Sequence, residues 1–276
     1  MKKWLFVLTL VLVMGALAAC GGKDSSESNN DKKEIAIGAT AGPFTDMVTK
    51  AIKPGLEKKG YKVKVVEFSD YIQPNNALGT GDIDANVFQN KIYMETFAEQ
   101  NKLNLAEVIT VPTSPMVVFS NKFKSIDEIA DGATYALPND PTNMGRALLI
   151  LEQEGLITLK DDVSHLTISE KDIKDNPKNL KFQPLEAGQL ARAIESTDMA
   201  AVPGNFVFAA GLDMNEGIMI ENMRDVHRNR VVIDGKNKDA QFVKDIKEVV
   251  ESKEFEDVID SDFPGFTKPD WMRERK

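Results

Sequence analysis

The alternation of apolar and polar residues is clearest early in the chain. Residues 34–39 read EIAIGA, a short β-prone run. Residues 61–68 read YKVKVVEF, with the period of two expected of a half-buried strand. Between them the period changes. Met47, Val48, Ala51, Ile52 and Leu56 fall on one side of a helix predicted over residues 46–59, with Pro54 as a kink and Gly60 as its stop. Strand, helix and strand make a βαβ unit. Its first turn, residues 40–44 (TAGPF), stands where open α/β sheets bind ligands. Ile83, Ala85 and Val87 alternate as the buried side of a third strand, and residues 91–100 predict a helix. Residues 108–111 and 115–120 predict two strands interrupted by Pro112 and Pro115.

A second βα system follows. Residues 125–130 predict a short capped helix. Residues 135–155 (YALPNDPTNMGRALLILEQEG) then give a β-prone run, a Pro- and Asx-rich turn and an apolar helix that Gly155 can end. Asp140 or Thr142 fits the cap, with Pro141 tolerated in the first turn. Free N–H groups at a helix start favour an anion, and Arg146 beside them offers a bidentate hold on a carboxylate or phosphate. The same pattern also fits a plain βα turn with a surface arginine. Residues 161–179 carry few apolar positions and read as a surface wrap. Strands are predicted at 182–185, 199–202 and 231–233, and helices at 186–195, 206–211 and 240–252. No repeat of 20–50 residues is present. The economical fold is α/β, two-lobed, with a ligand cleft between lobes. Residues 34–112 with 227–276 are assigned to the first lobe and 113–226 to the second.

Composition narrows the function. A net charge of −9 and a pI near 5.0 argue against broad nucleic-acid binding. The first residues carry a separate message. Lys2 and Lys3 precede an apolar run over residues 4–13, and Leu17-Ala18-Ala19-Cys20 resembles a bacterial lipobox. Cys20 is the one cysteine in the sequence. Residues 1–19 are therefore read as a signal peptide, Cys20 as the lipidated residue and residues 20–33 as a flexible polar tether. This places the folded part at the cell membrane, lipid-anchored on the extracytoplasmic face. His165 and His227 lie in polar stretches and read as surface histidines. No nucleophile elbow or phosphate loop is present, and Asp82 and Asp84 read as strand-end or capping residues. The expectation is no enzyme, no metal and no cofactor.

Tyr71, Phe88 and Tyr93 next to Asn86, Gln89 and Asn90 supply apolar walls and amide groups of the kind that hold an amino acid. Several segments together resemble the substrate-binding lipoproteins of methionine importers, the NlpA/MetQ family. They are Ala41-Gly42-Pro43, Tyr71-Ile72-Gln73-Pro74-Asn75, residues 81–89 (GDIDANVFQ) and residues 137–148 (LPNDPTNMGRAL), with Gly204-Asn205 as a weaker match. The resemblance covers nearly all of the chain after the tether. It implies a periplasmic-binding-protein fold that captures methionine or a methionine-like amino acid and delivers it to an ABC permease and its ATPase. It further implies that Arg146 clamps the α-carboxylate, that Asn143 and Asn205 hold carboxylate or ammonium, and that Tyr71, Phe88 and Tyr93 wall the thioether. Three positions depart from the family. Asn90 and Phe44 stand where histidines are usual, and Pro203 replaces the first amide of the Asn-Gly-Asn turn. These changes leave open a methionine-containing dipeptide or another apolar amino acid. A surface adhesin or sensor lipoprotein is the remaining alternative.

Overall fold

The structure is a computed structural model and describes residues 33–161, 163 and 168–275. The expected signal peptide, Cys20, residues 20–32 of the tether, and His165 lie outside the described residues.

Twelve strands among the described residues form two five-stranded sheets and a small hairpin. The first sheet has the order β2-β1-β3-β12-β4. Its members are β1 (Glu34–Thr40), β2 (Lys62–Phe68), β3 (Ala85–Asn90), β4 (Leu105–Thr110) and β12 (Asn229–Asp234). β2 and β3 flank β1 in parallel, whereas β12 runs antiparallel between β3 and β4. The second sheet has the order β11-β5-β10-β6-β9. It is built from β5 (Val117–Phe119), β6 (Thr134–Pro138), β9 (Lys181–Leu185), β10 (Met199–Val202) and β11 (Met219–Ile220), with β6, β9 and β10 parallel. β7 (Thr158–Leu159) and β8 (Ile173–Asp175) make the hairpin.

Each sheet has its own core, which makes the molecule two-lobed. Ile35, Ile37, Val87, Val231 and Ile233 of the first sheet pack against Met47, Ile52, Leu56, Phe242 and Ile246 of its helices. Tyr135, Leu137 and Met199 of the second sheet pack against Leu148 and Leu151, while Ala136, Ala200 and Val202 on its other face meet Leu190 and Val207. Burying each large side chain contributes about 1.5–3 kcal/mol. The chain passes between the sheets at residues 111–116 and 221–228. These crossings lie side by side: the Val111 amide donates to Asn229 O at 2.8 Å, and the Asn229 amide donates to Thr113 Oγ1 at 2.9 Å.

Several elements differ from their sequence expectation. The first helix begins at Pro43 rather than at 46, and a π-turn, Val48–Ile52, precedes Lys53–Lys58. The Lys53 N–H reaches back to Val48 O, and this widened turn accommodates Pro54, which has no N–H to donate. The helix expected at 125–130 is only a 3-10 turn, Ile126–Glu128, without a side-chain cap. The predicted 186–195 helix reduces to a 3-10 turn and Leu190–Ala193, and that at 206–211 starts earlier, as Gly204–Ala209. Residues 161–179 are more than a surface wrap, because Ile168 anchors them in the second core. No helix among the described residues is long and apolar enough to cross a membrane.

Candidate ligand-binding site

The C-terminal ends of β1, β3, β6 and β10 converge between the lobes. After β1, Gly42 takes φ +92° and caps a helix with Pro43 in its first turn, which buries Phe44. A side chain at Gly42 would lie 2.9 Å from Ala209 Cβ in the opposite lobe, so both conformation and close approach require glycine there. At the end of β3, Asn90 caps the helix Lys91–Asn101 by accepting from the Tyr93 amide. That cap sets Tyr93 beside Phe88, ring centroids 6.0 Å apart, and both lie about the Tyr71 ring at 6.0 and 5.8 Å. Tyr71 follows β2 in a turn whose next residues donate backbone N–H groups to Asp70 Oδ1.

In the second lobe, Asp140 caps the helix Pro141–Gln153 by accepting from the Asn143 amide, and Pro141 opens it. One turn in, Arg146 is 6% exposed. Its Nε and Nη2 donate to Glu221 Oε1 and Oε2 at 2.8 and 2.6 Å, and its Nη1 donates to Asn143 Oδ1 at 2.9 Å. Burial opposes the guanidinium's charge, but Glu221 outweighs it and holds the Arg146 pKa above its ordinary value. Burial likewise opposes the Glu221 carboxylate, and Arg146 with His227 holds its pKa well below the usual range. Asp140 is pushed up, chiefly by burial.

Two buried polar atoms on the cavity wall have no hydrogen-bond partner among the described residues: Ser114 Oγ and Asn205 Nδ2. Asn205 sits in the first turn of Gly204–Ala209, where its Oδ1 accepts from the Tyr71 hydroxyl at 3.0 Å. This fixes which end of the amide is left to donate. A Cβ at Gly204 would lie 2.0 Å from Ser114 Oγ, so glycine brings the two segments together. The cavity is narrow, with a volume of about 20 Å³, and a wider mouth of about 410 Å³ adjoins it across Tyr71 and Tyr93. Aromatic walls, a buried cation and two unpartnered polar groups suit a small molecule with a carboxylate and an apolar arm.

Phe44, Tyr71, Phe88, Asn90, Tyr93, Asn143, Arg146 and Asn205 all line this one cavity. Their side chains are occupied to different degrees. Asn143 is engaged on both sides, since its Nδ2 donates to both Asp140 oxygens while its Oδ1 holds Arg146. Arg146 is not a surface arginine, and His227, read as a surface histidine, is 2% exposed and contacts Glu221. The amides of Asn86 and Gln89 bond to Asn75 and to each other; Gln89 lines the cavity, whereas Asn86 does not. Ser114, Glu221, Asn229 and Phe206 escaped the sequence reading. Asn229 lines the cavity and donates to Phe88 O, and Phe206 packs 5.7 Å from Tyr71. Only Ser114 had a local signal, the Thr-Ser-Pro break before β5.

A family model described as NlpA lipoprotein matches residues 35–271. The chain is similar to the D-methionine-binding lipoprotein MetQ of Salmonella typhi, at 38% identity over 259 residues covering 93% of each chain. It is 36% identical over 263 residues to the D-methionine-binding lipoprotein MetQ of Escherichia coli K12, covering 94% of this chain and 95% of the relative. Among solved structures it resembles a nutrient binding protein from Burkholderia cenocepacia bound to methionine, at a TM-score of 0.80 and 37% identity, with 84% of this chain and 97% of the other covered.

Proposed function

This chain belongs to the NlpA lipoprotein family, and on that footing we propose that it captures methionine or a methionine-like amino acid for an ABC importer. It does so outside the cytoplasm as a binding protein without catalysis, held to the membrane by a lipid on Cys20 and serving a permease and its ATPase. The observation that carries this reading is the pair of unpartnered groups, Ser114 Oγ and Asn205 Nδ2, on the wall that also presents Arg146. A ligand carboxylate satisfies both, and the bonds described above use only three of Arg146's five N–H groups. The apolar arm of the ligand then lies against Tyr71, Phe88 and Tyr93, where a thioether gains about 0.3–1.5 kcal/mol from aromatic contact. Residues 34–112 with 227–276 serve as one jaw and 113–226 as the other, and the two crossings serve as the hinge.

The wider mouth beside Tyr71 and Tyr93 supports a second reading, in which the ligand is a methionine-containing dipeptide. One screen separates the two. The soluble chain from residue 31 onward is refolded free of carried-over ligand and melted with L- and D-methionine, other amino acids and methionyl dipeptides. A ligand at 100 times its Kd stabilises the fold by about 2.7 kcal/mol, a plain rise in Tm. A response confined to dipeptides replaces the first reading with the second, and no response to any of these compounds removes both.

A further inference from the structure

The Glu221 carboxylate receives four hydrogen bonds. Arg146 supplies two, the Met116 amide donates to Oε2 at 2.9 Å, and His227 Nδ1 lies 3.1 Å from Oε1. A carboxylate can only accept, so the neutral His227 ring carries its proton on Nδ1. The donors come from separate parts of the chain. Met116 ends the first crossing, His227 belongs to the second, and Arg146 rides the helix Pro141–Gln153. Glu221 follows directly on β11, and its own amide donates to Met116 O at 3.0 Å.

A buried ion pair is weak evidence of stabilisation, since apolar residues of similar size commonly do as well. Its geometry here has another effect. Glu221 takes the Nε–Nη2 edge of the guanidinium, and Asn143 takes one N–H of Nη1. This locks a long, rotatable side chain into one plane. We propose that Glu221 is a positioning residue for ligand recognition: it aims the remaining N–H groups of Arg146 at the ligand carboxylate and ties that aim to both interlobe crossings. This role rests on the capture of an amino acid proposed above and goes beyond it.

The test compares methionine with methioninamide, which differs only in replacing the carboxylate by a neutral amide. Calorimetric Kd values are measured for the lipid-free mature protein and its variants. Wild type favours methionine. Glu221→Gln keeps the size of the side chain but turns one end into a donor that faces donors. Its affinity for methionine falls about 30-fold or more, as expected for a disrupted buried charge pair, while that for methioninamide moves less than about threefold. Equal losses for both compounds overturn the positioning role and leave Glu221 a support of the fold. A second pair of variants guards against misfolding. His227→Asn retains an N–H near the Nδ1 position and preserves the ratio of the two affinities, whereas His227→Gln removes it and lowers that ratio. A ratio indifferent to both histidine changes overturns the link to the second crossing. Wild type that binds neither compound removes the capture reading itself, whereas wild type that prefers methionine with an unchanged ratio in every variant overturns this role alone.

Discussion

The Tyr71 hydroxyl of the first lobe donates to Asn205 Oδ1 of the second at 3.0 Å. One bond thereby sets a wall of the pocket, spans the two lobes and turns Asn205 Nδ2 into an unpartnered donor. Tyr71→Phe keeps the ring and frees the amide to rotate. Methionine affinity is expected to fall about fivefold, the value of one ordinary hydrogen bond. Tyr71→Ala also removes the ring and erodes the preference for thioether side chains over other apolar ones. Calorimetry with methionine and norleucine checks both; a Phe variant that binds as tightly as wild type would leave the ring as Tyr71's whole contribution.

Arg146→Ala strands Glu221 in the interior. Loss of methionine binding is expected together with a destabilisation of about 3–5 kcal/mol. The double variant Arg146→Met with Glu221→Leu removes both charges and is expected to regain most of the stability but none of the binding. Urea unfolding and calorimetry on the same samples separate these effects. Recovery of binding in the double variant would rule out the clamp.

Ser114→Ala is expected to split stability from affinity. The buried hydroxyl has no partner among the described residues, so its loss is expected to leave the unliganded fold as stable or slightly more so. Methionine affinity falls about fivefold if that hydroxyl meets the ligand. An unchanged Kd would show that the ligand lies elsewhere in the cavity.

Gly204→Ala places a methyl group against Ser114 Oγ and Pro115 O, at 2.0 and 2.5 Å before any relaxation. The helix start must then move away from the first crossing. A drop in Tm and loss of methionine binding are expected; Gly60→Ala, strained by its positive φ but with no atom among the described residues within 4 Å of its Cβ position, is expected to lower Tm and leave binding intact.

Acid stability is expected to fall in two steps. Burial holds the His227 pKa below its ordinary 6.5. The unfolded chain therefore binds the extra proton first, and stability present above pH 6.5 declines as pH drops from there toward the folded pKa. Glu221 and Asp198 are held down, Glu221 by Arg146 against its burial and Asp198 chiefly by Lys122. Their contributions are present above about pH 4–4.5 and disappear as pH falls further, through their lower folded values. Tm measured from pH 8 to 3 should show both declines. His227→Asn should lose the upper one and keep the lower.

The parts of this molecule visible in the sequence are those built from neighbours. The β-prone run marked β1, the period-two run marked β2, and the Asp140 cap, Pro141 and Arg146 are each encoded within about seven consecutive residues. The aromatic group was also legible, because Tyr71, Phe88 and Tyr93 flank the same βα turns. What the sequence hid depends on distance. Glu221 stands 75 residues from Arg146, and nothing in its polar surroundings marks it as buried. The same is true of His227, whose stretch looks solvated until the crossing folds over it. Asn86 and Gln89 looked alike in the sequence, but only Gln89 lines the cavity, while Asn86 turns to Asn75 and Pro74. The π-turn before Pro54 follows from backbone hydrogen-bond supply, which side-chain periodicity does not report.

β12 lies between β3 and β4, yet it comes more than a hundred residues after either. The order of synthesis therefore differs from the order of assembly. As the chain emerges from its amino end, β5 to β11 are complete by Ile220, while β4 has no neighbour to pair with until Asn229–Asp234 arrives. The lobe that is begun first is finished last. A nascent chain stalled near residue 225 should carry one closed lobe and one open, protease-sensitive sheet. Removal of the last fifty residues should damage the amino-terminal half more than the middle.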